Sequence, residues 1–360
     1  MKLSTKDIQK IIKNPEHTAI MADLIYVGKE HFTLSRKRNK EDFEYYHRDK
    51  PLTKEEQLNR IKNLVIPPAW NNVKIAEPLN GHLQVVGRDA KNRKVYRYHP
   101  LWSKLRNQTK FFKLAAFGNI LPQIRAAVDK DLDLKGMPKR KVLALVLRIM
   151  EETHIRIGND YYAKKNKTYG LSTLRTRHVE TYKDKTKFEF VGKKGKEHSI
   201  TLRNKKLARL VNRCEEIPGW ELFQYVDDRG DKHSIDSGLI NDYIHEVSGD
   251  MFSAKDFRTW GATKTFFETL HDIGYTPDSK ENKSNILKGY DAAAEALGNT
   301  RTVCRKYYVH PQVVEAYETG TIVESFERLD KLKNTKKHFS QSEEVLLDMI
   351  SNFKINLTTD

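Results

Sequence analysis

The sequence predicts an α+β protein in which a small, mainly β domain at residues 1–103 precedes a larger, mainly α domain at 104–328 and a helical tail at 329–360. Three observations carry that expectation. At 360 residues the chain is long for a single core, and about 100–200 residues per domain points to two. Between Tyr26 and Tyr98 short β-rich runs alternate with turn signals, the texture of a small sheet or partial barrel. After Trp102 the periodicity turns helical, which puts the boundary near 100 to 108.

Taken in order, the turn signals of the first domain are Ile66-Pro-Pro-Ala-Trp70, Leu79-Asn-Gly81 and Gly87-Arg-Asp-Ala90. Helical periodicity then runs through Phe111 to Ile124 and Val142 to Ile155, and the second stretch is apolar on most faces, so it should be buried. Lys187-Phe-Glu-Phe-Val191 and Lys196-Glu-His-Ser-Ile-Thr-Leu202 read as two strands joined by the glycine-bounded turn Gly192-Lys-Lys-Gly195, with Lys193 and Lys194 at its tip. Further helices are expected at Lys205 to Glu216, Ser237 to Val247, Ala254 to Leu270 and in the alanine-rich stretch before Gly298. Ser253-Ala-Lys-Asp256 is a capping-box pattern that starts one of them, and Gly298 is placed to end another. Beyond Leu329 the tail is Lys-rich and then amphipathic around Val345 to Ile350, an appended helix with no assignable chemistry.

Composition narrows the function. The balance of 65 Lys+Arg against 48 Asp+Glu gives +17, an excess that favours a polyanionic partner, nucleic acid first. An anionic membrane surface is the other polyanion, but no apolar run approaches the ~18 residues of a spanning helix, and no membrane is expected as partner. The opening Met1-Lys-Leu-Ser-Thr-Lys-Asp7 is charged and lacks an apolar core, so no secretory signal is visible and a cytoplasmic, nucleoid-associated location is expected. Cys214 and Cys304 are too few for a disulfide framework or a four-ligand zinc site and read as inert thiols. Gly192-Lys-Lys-Gly195-Lys196 lacks the spacing and the following Ser or Thr of a P-loop. Asp129, Asp131 and Asp133 begin like a calcium loop, yet Leu134 stands where its glycine belongs, so the run is expected to be a solvated loop. The 13 histidines are scattered without a His-Glu-x-x-His pattern, and neither metal nor other cofactor is expected.

A basic protein that cleaves a phosphodiester without metal or nucleotide needs three things. They are a side-chain nucleophile, fixed cations for charge developing on the phosphoryl oxygens, and a proton donor for the departing 5′ oxygen. Tyrosine suits a bond that must be remade, because phenolate, from a group of pKa about 10, leaves readily when the 5′-hydroxyl returns. Four stretches present such residues in order: His154-Ile-Arg156-Ile-Gly158, Phe190-Val-Gly-Lys193, Lys255-Asp-Phe-Arg258-Thr-Trp-Gly261, and Gly298-Asn299-Thr300 followed by Arg305-Lys-Tyr-Tyr308. In that order and spacing the chain resembles the poxvirus-like and bacterial type IB DNA topoisomerases, from about Asp23 to about Tyr317.

The resemblance implies a catalytic domain of the tyrosine recombinase and type IB topoisomerase kind, with a β-hairpin that carries the catalytic lysine. It implies ATP- and metal-independent relaxation of supercoiled double-stranded DNA through a 3′-phosphotyrosyl intermediate at Tyr308. Arg156 and Arg258 would hold the nonbridging oxygens, as planar multidonor guanidiniums can, and Lys193 would protonate the 5′ oxygen. Asn299 stands nine residues before Tyr308, where poxvirus enzymes carry histidine and bacterial relatives commonly asparagine, so the bacterial branch is favoured. An amide there can donate a hydrogen bond but supplies no charge. Tyr96, Tyr98 and Tyr162 match DNA contacts of the family, and a monomer clamping DNA is the implied assembly. Lys194 and Lys196 share the hairpin turn, and Tyr307 adjoins Tyr308. A tyrosine recombinase is the nearest alternative, but such enzymes place histidine three residues before the second arginine, where this chain has Lys255. An architectural DNA-binding protein that has lost activity would share the charge, yet no catalytic position is filled by an incapable residue.

Overall fold

The computed structural model describes residues 10, 14–40 and 42–354. It divides into two compact units, the first reaching Phe112 and the second running from Lys113 to Phe353. The first opens with helix α1 (Pro15–Met21), started by Asn14, whose Oδ1 accepts Glu16 N at 3.0 Å, and by Pro15 in the first turn. Strands β1 (Leu34–Asn39), β2 (Asp42–His47) and β3 (Lys50–Pro51) follow, then helix α2 (Glu55–Asn63), then β4 (Asn71–Ile75), β5 (Leu83–Arg88) and β6 (Lys94–Tyr98). They form one antiparallel sheet in the order β3-β2-β1-β4-β5-β6.

The core of this unit is Leu34, Val73, Ile75 and Val85 from the sheet with Ile61 from α2, a helix that the strand-like sequence pattern did not announce. The expected turn at Ile66 to Trp70 is present and is pinned by the buried Arg36. Its guanidinium donates to Ile66 O (3.2 Å), Pro67 O (3.0 Å) and Trp70 O (2.6 Å), so carbonyls that the prolines leave without a ladder partner are satisfied. On β6 Lys94, Tyr96 and Tyr98 share the exposed side.

Helix α3 (Pro100–Leu132) runs for 33 residues, so the expected boundary at 103/104 falls inside a helix, as does the division at Phe112. Its last turn overturns the expectation of a solvated acidic loop at 129–133. Asp131 is buried, where it accepts Tyr243 Oη at 2.7 Å and Arg140 Nε at 2.8 Å, while Asp129 pairs with Arg148 (2.6 Å) and Asp133 with Lys206 (2.7 Å). Three cations from two later helices absorb charges that looked like a cluster in one dimension.

In the second unit α4 (Lys139–Thr153) is buried through Val142 to Leu147, as its all-round apolar pattern requires. After α5 (Asp160–Asn166) come β7 (Val179–Thr181), β8 (Thr186–Val191) and β9 (Glu197–Leu202), which pair as a three-stranded antiparallel sheet. The β8–β9 hairpin is the expected one. Helix α6 (Lys205–Glu215) leads to a small hairpin of β10 (Gln224–Val226) and β11 (Lys232–Ser234), and then to α7 (Ser237–Ser248), α8 (Ala254–Ile273) and α9 (Ser279–Leu297). The capping box of α8 is present: Ser253 N donates to Asp256 Oδ2 at 2.8 Å, and Lys113 Nζ pairs with the same carboxylate at 2.8 Å. Gly298 ends α9 in the left-handed conformation, φ 59°.

The chain closes with α10 (Arg301–Tyr307), α11 (Pro311–Thr319), α12 (Ile322–Lys331) and α13 (Gln341–Ile350). The segment expected as an appended tail is part of the core. Val345, Leu346, Leu347 and Ile350 of α13 are buried among the residues of the second unit, and Glu343 is buried in the salt bridge with Arg125 (2.7 Å) while accepting Trp260 Nε1 at 2.9 Å. The physical reason is the amphipathic face itself, which finds the groove beside α8.

Candidate active site

Arg156 is aimed by alternation. Leaving α4, the chain passes His154 in the left-handed region (φ 54°) and becomes extended, held by Leu171 N donating to Arg156 O (2.8 Å) and Ser172 N to Ile157 O (2.6 Å). Ile155 and Ile157 turn into the core, so the side chain between them turns the other way. Gly170 packs so closely here that a Cβ would lie 2.4 Å from Arg156 O. The guanidinium Nη2 donates to Asn299 Oδ1 at 2.5 Å.

Arg258 comes from α8, whose first half is buried on nearly every side. It is only 5% exposed, and Nη2 donates to Leu297 O at 2.9 Å, the carbonyl that the end of α9 leaves over. Its Cζ lies 5.7 Å from the centre of the Tyr308 ring. Burial foremost, and then the like charge of Arg156, push its pKa down to about 10, so it remains a cation at neutral pH.

Asn299 and Tyr308 stand at the two ends of one short helix. Asn299 immediately precedes Thr300, the N-cap of α10, and Tyr308 is its C-cap. Thr263 on α8 fixes the far end, its Oγ1 lying 3.1 Å from Tyr308 O and accepting His310 N at 3.2 Å. Tyr308 is partly buried whereas Tyr307 is 41% exposed. Cys304 of the same helix is buried, and burial raises its thiol to about 11, which suits the inert reading.

Arg156 and Tyr308 are 152 residues apart in sequence, and the structure makes two contacting pairs, Arg156 with Asn299 and Arg258 with Tyr308, which the short helix α10 joins because Asn299 and Tyr308 flank it. Arg258 Nε and Nη1 and Asn299 Nδ2 are buried and make no hydrogen bond of ordinary geometry among the described residues, their side-chain neighbours being the Tyr308 hydroxyl for Arg258 and the Cys304 thiol for Asn299. A buried cation without a carboxylate is costly, and buried donors are nearly always matched. Because Asn299 Oδ1 takes the bond from Arg156, its Nδ2 is left as a donor directed by that bond.

Beside these groups lies a cavity of about 480 Å³ lined by Arg156, Gly192, Lys193, Lys196, His198 and Gly298, among others. Lys193 and Lys196 of the hairpin turn contribute to it and Lys194, whose φ is 66°, does not. His198 and His154 are neighbours that sequence reasoning left unassigned. Burial and the charges of Arg258 and Lys264 lower His154 to about 4, and its ring lies where a side chain on Gly261 would fall, 2.3 Å from a Cβ. The only sequence sign of His154 was its place in the first arginine motif, and a lone histidine is no signal of packing.

Tyr162, on α5, is exposed and meets Tyr161 edge-on at 5.5 Å. In the first unit Tyr96 and Tyr98 stack at 6.1 Å on the outer side of β6, and Tyr98 continues to His82 at 6.3 Å, which stacks on Tyr26 at 4.4 Å. Among the described residues no three His, Cys, Asp or Glu side chains gather as a metal would need, and no helix is long and apolar enough to cross a membrane.

Comparison with known proteins adds independent findings. The family model described as the catalytic core of eukaryotic DNA topoisomerase I matches residues 100–337, and the N-terminal domain of bacterial DNA topoisomerase IB matches 42–89. The DNA topoisomerase 1B of Acanthamoeba polyphaga mimivirus is 32% identical over 297 residues, 80% of this chain and 88% of that protein. The DNA topoisomerase 1B of vaccinia virus (strain Copenhagen) is 25% identical over 235 residues, 64% of this chain and 71% of its own length. DNA topoisomerase 1 beta of Arabidopsis thaliana is 28% identical over 210 residues, 57% of this chain and 22% of that protein.

Proposed function

This chain belongs to the type IB DNA topoisomerases, and from that premise we propose that it relaxes supercoiled double-stranded DNA without ATP or metal, by cutting one strand through Tyr308 and resealing it. The observation that carries the reading is the set of buried donors of Arg258 and Asn299 beside Tyr308, with no carboxylate against the Arg258 guanidinium, an arrangement that suits an oxyanion.

In the proposed step the Tyr308 phenol gives its proton to water and its oxygen attacks the scissile phosphorus. The bond from phosphorus to the 5′ oxygen breaks, and Lys193 protonates that oxygen as it leaves. Arg156 and Arg258 stabilise the charge that builds on the nonbridging oxygens, and Asn299 adds a neutral donor. The free 5′ end rotates under the torsional strain of the DNA, and its hydroxyl then displaces the phenolate. No net bond energy is lost, which removes the need for a nucleotide. The exposed tyrosines Tyr96, Tyr98 and Tyr162 contact the duplex in this reading, and a monomer clamps it with both units, as a nucleoid-associated cytoplasmic enzyme. The positive balance of 65 over 48 supports a phosphate-dominated partner.

The test is denaturant trapping of a covalent protein–DNA adduct. Tyr308→Phe should form none while its DNA affinity stays close to wild type, and Tyr307→Phe should form it normally. An adduct with Tyr308→Phe would remove the nucleophile assignment; wild-type protein that binds but never forms one would leave an architectural role.

A further inference from the structure

Between the hairpin turn and the Asn299 loop stands a side chain with no role in the step above. His198 lies on β9 opposite Phe190 of β8, and the two rings stack at 5.0 Å with planes 15° apart. Two glycines close in on the imidazole from different elements. A Cβ on Gly192 would come within 2.7 Å of His198 Cδ2 and Nε2, and one on Gly298 within 2.4 Å of Cε1. Gly192 has φ −94°, a backbone that any residue can adopt, so the ring and not the chain reserves that position for glycine. Each of these glycines immediately precedes a residue of the proposed site, Gly192 before Lys193 and Gly298 before Asn299.

We propose that His198 is a positioning residue, a wedge that fixes the Lys193 turn against the Asn299 loop and so sets the reach of the general acid to the 5′ oxygen. Gly192 N to Lys196 O (2.7 Å) and Gly195 N to Gly192 O (3.0 Å) fix the shape of the turn, but they lie within it and do not set its distance from the Asn299 loop, which is the part left to the ring. Burial, then Arg156, Lys196 and Arg258, lower the pKa of His198, which keeps the wedge uncharged among three cations. The inference rests on the reading of Lys193 as proton donor.

The test compares cleavage of an ordinary duplex with that of one carrying a 5′-bridging phosphorothiolate, whose sulfur departs as a thiolate and needs no proton. His198→Ala should slow the oxygen substrate by about 10²-fold, the scale of a misplaced catalytic group, and run near the wild-type rate on sulfur. Lys193→Ala is the reference. If sulfur rescues Lys193→Ala but not His198→Ala, the wedge is wrong and the general acid stands; if sulfur rescues neither, the acid assignment falls and takes the wedge with it. His198→Ala at wild-type rate on oxygen also overturns the proposal. Gly192→Ala is the companion variant, because it keeps the half-buried histidine while pushing the ring aside. It should reproduce the oxygen-specific defect and add nothing in the His198→Ala background, and a Gly192→Ala enzyme at full speed on oxygen would likewise sink the wedge.

Discussion

The outer face of the N-terminal sheet and the interior of the second unit use the same residue types, cation and tyrosine, in opposite states of solvation. On β6, Tyr96 is 46% and Tyr98 42% exposed, with Lys94 beside them in water. At the site Arg258 is 5% exposed and faces Tyr308 rather than a carboxylate. A unit charge at a given distance acts about fourfold more strongly at an effective dielectric of about 20 than in bulk water. The wet face therefore suits adhesion, in which contacts are equal before and during reaction. The dry one suits stabilising charge that exists only at the transition state.

That contrast is sharpest in Arg258→Ala. Loss of one preorganised donor to a developing oxyanion costs about 10²–10³ in rate, and the variant should lose that much in single-turnover cleavage while its Kd for duplex changes little. Sulfur at the bridging position should not restore it, since the nonbridging charge remains. If Kd rises by the same factor and the rate of the bound complex is intact, the interior is an anchor like the sheet and the comparison collapses.

Dryness should also be visible in pH dependence. His154 is lowered from 6.5 to about 4, so between those values the unfolded chain holds a proton that the folded chain refuses. Stability is then fully present above pH 6.5 and declines as pH falls toward 4, by on the order of 3 kcal/mol at most. Thermal melts from pH 7.5 down to 4.5 should show the decline, and His154→Gln should flatten it relative to wild type. Equal slopes for both proteins would mean that water reaches the ring.

Much of this was legible because it is local. The β8–β9 hairpin follows from alternation around Gly192-Lys-Lys-Gly195, the start of α8 from Ser253 and Asp256, and the end of α9 from Gly298. Spacing among motifs brought forward Arg156, Arg258, Asn299 and Tyr308, although only packing could show that Asn299 Oδ1 is taken by Arg156 and its amide thereby directed. What stayed hidden depends on distant partners. Helix α2 needed the sheet to give Ile61 a place, the acidic run at 129–133 needed Arg148, Arg140 and Lys206, and His198 needed two glycines from different elements. One signal was available and passed over. Ser340 and Glu343 form a capping box directly before the apolar run of α13, which fixes the start of the helix that was expected only around Val345 to Ile350.

The smallest expected effect probes the wet side. Replacing both Tyr96 and Tyr98 with alanine removes stacked, uncharged surface from β6 and leaves every phosphate-neutralising cation in place. Affinity for duplex should fall by about tenfold or less, roughly 1.4 kcal/mol, while cleavage within the bound complex proceeds at the wild-type rate. The slope of log K against log salt should not move, because no counterion release is lost. Lys94→Ala on the same strand should do the reverse, flattening that slope by about 0.9 if Lys94 neutralises one phosphate. Binding titrations at several salt concentrations, with melting temperatures to confirm that the sheet is intact, separate the two terms. A bound-state rate that drops in the double tyrosine variant would show that the exposed face takes part in the chemistry, and solvation would no longer divide the two regions by role.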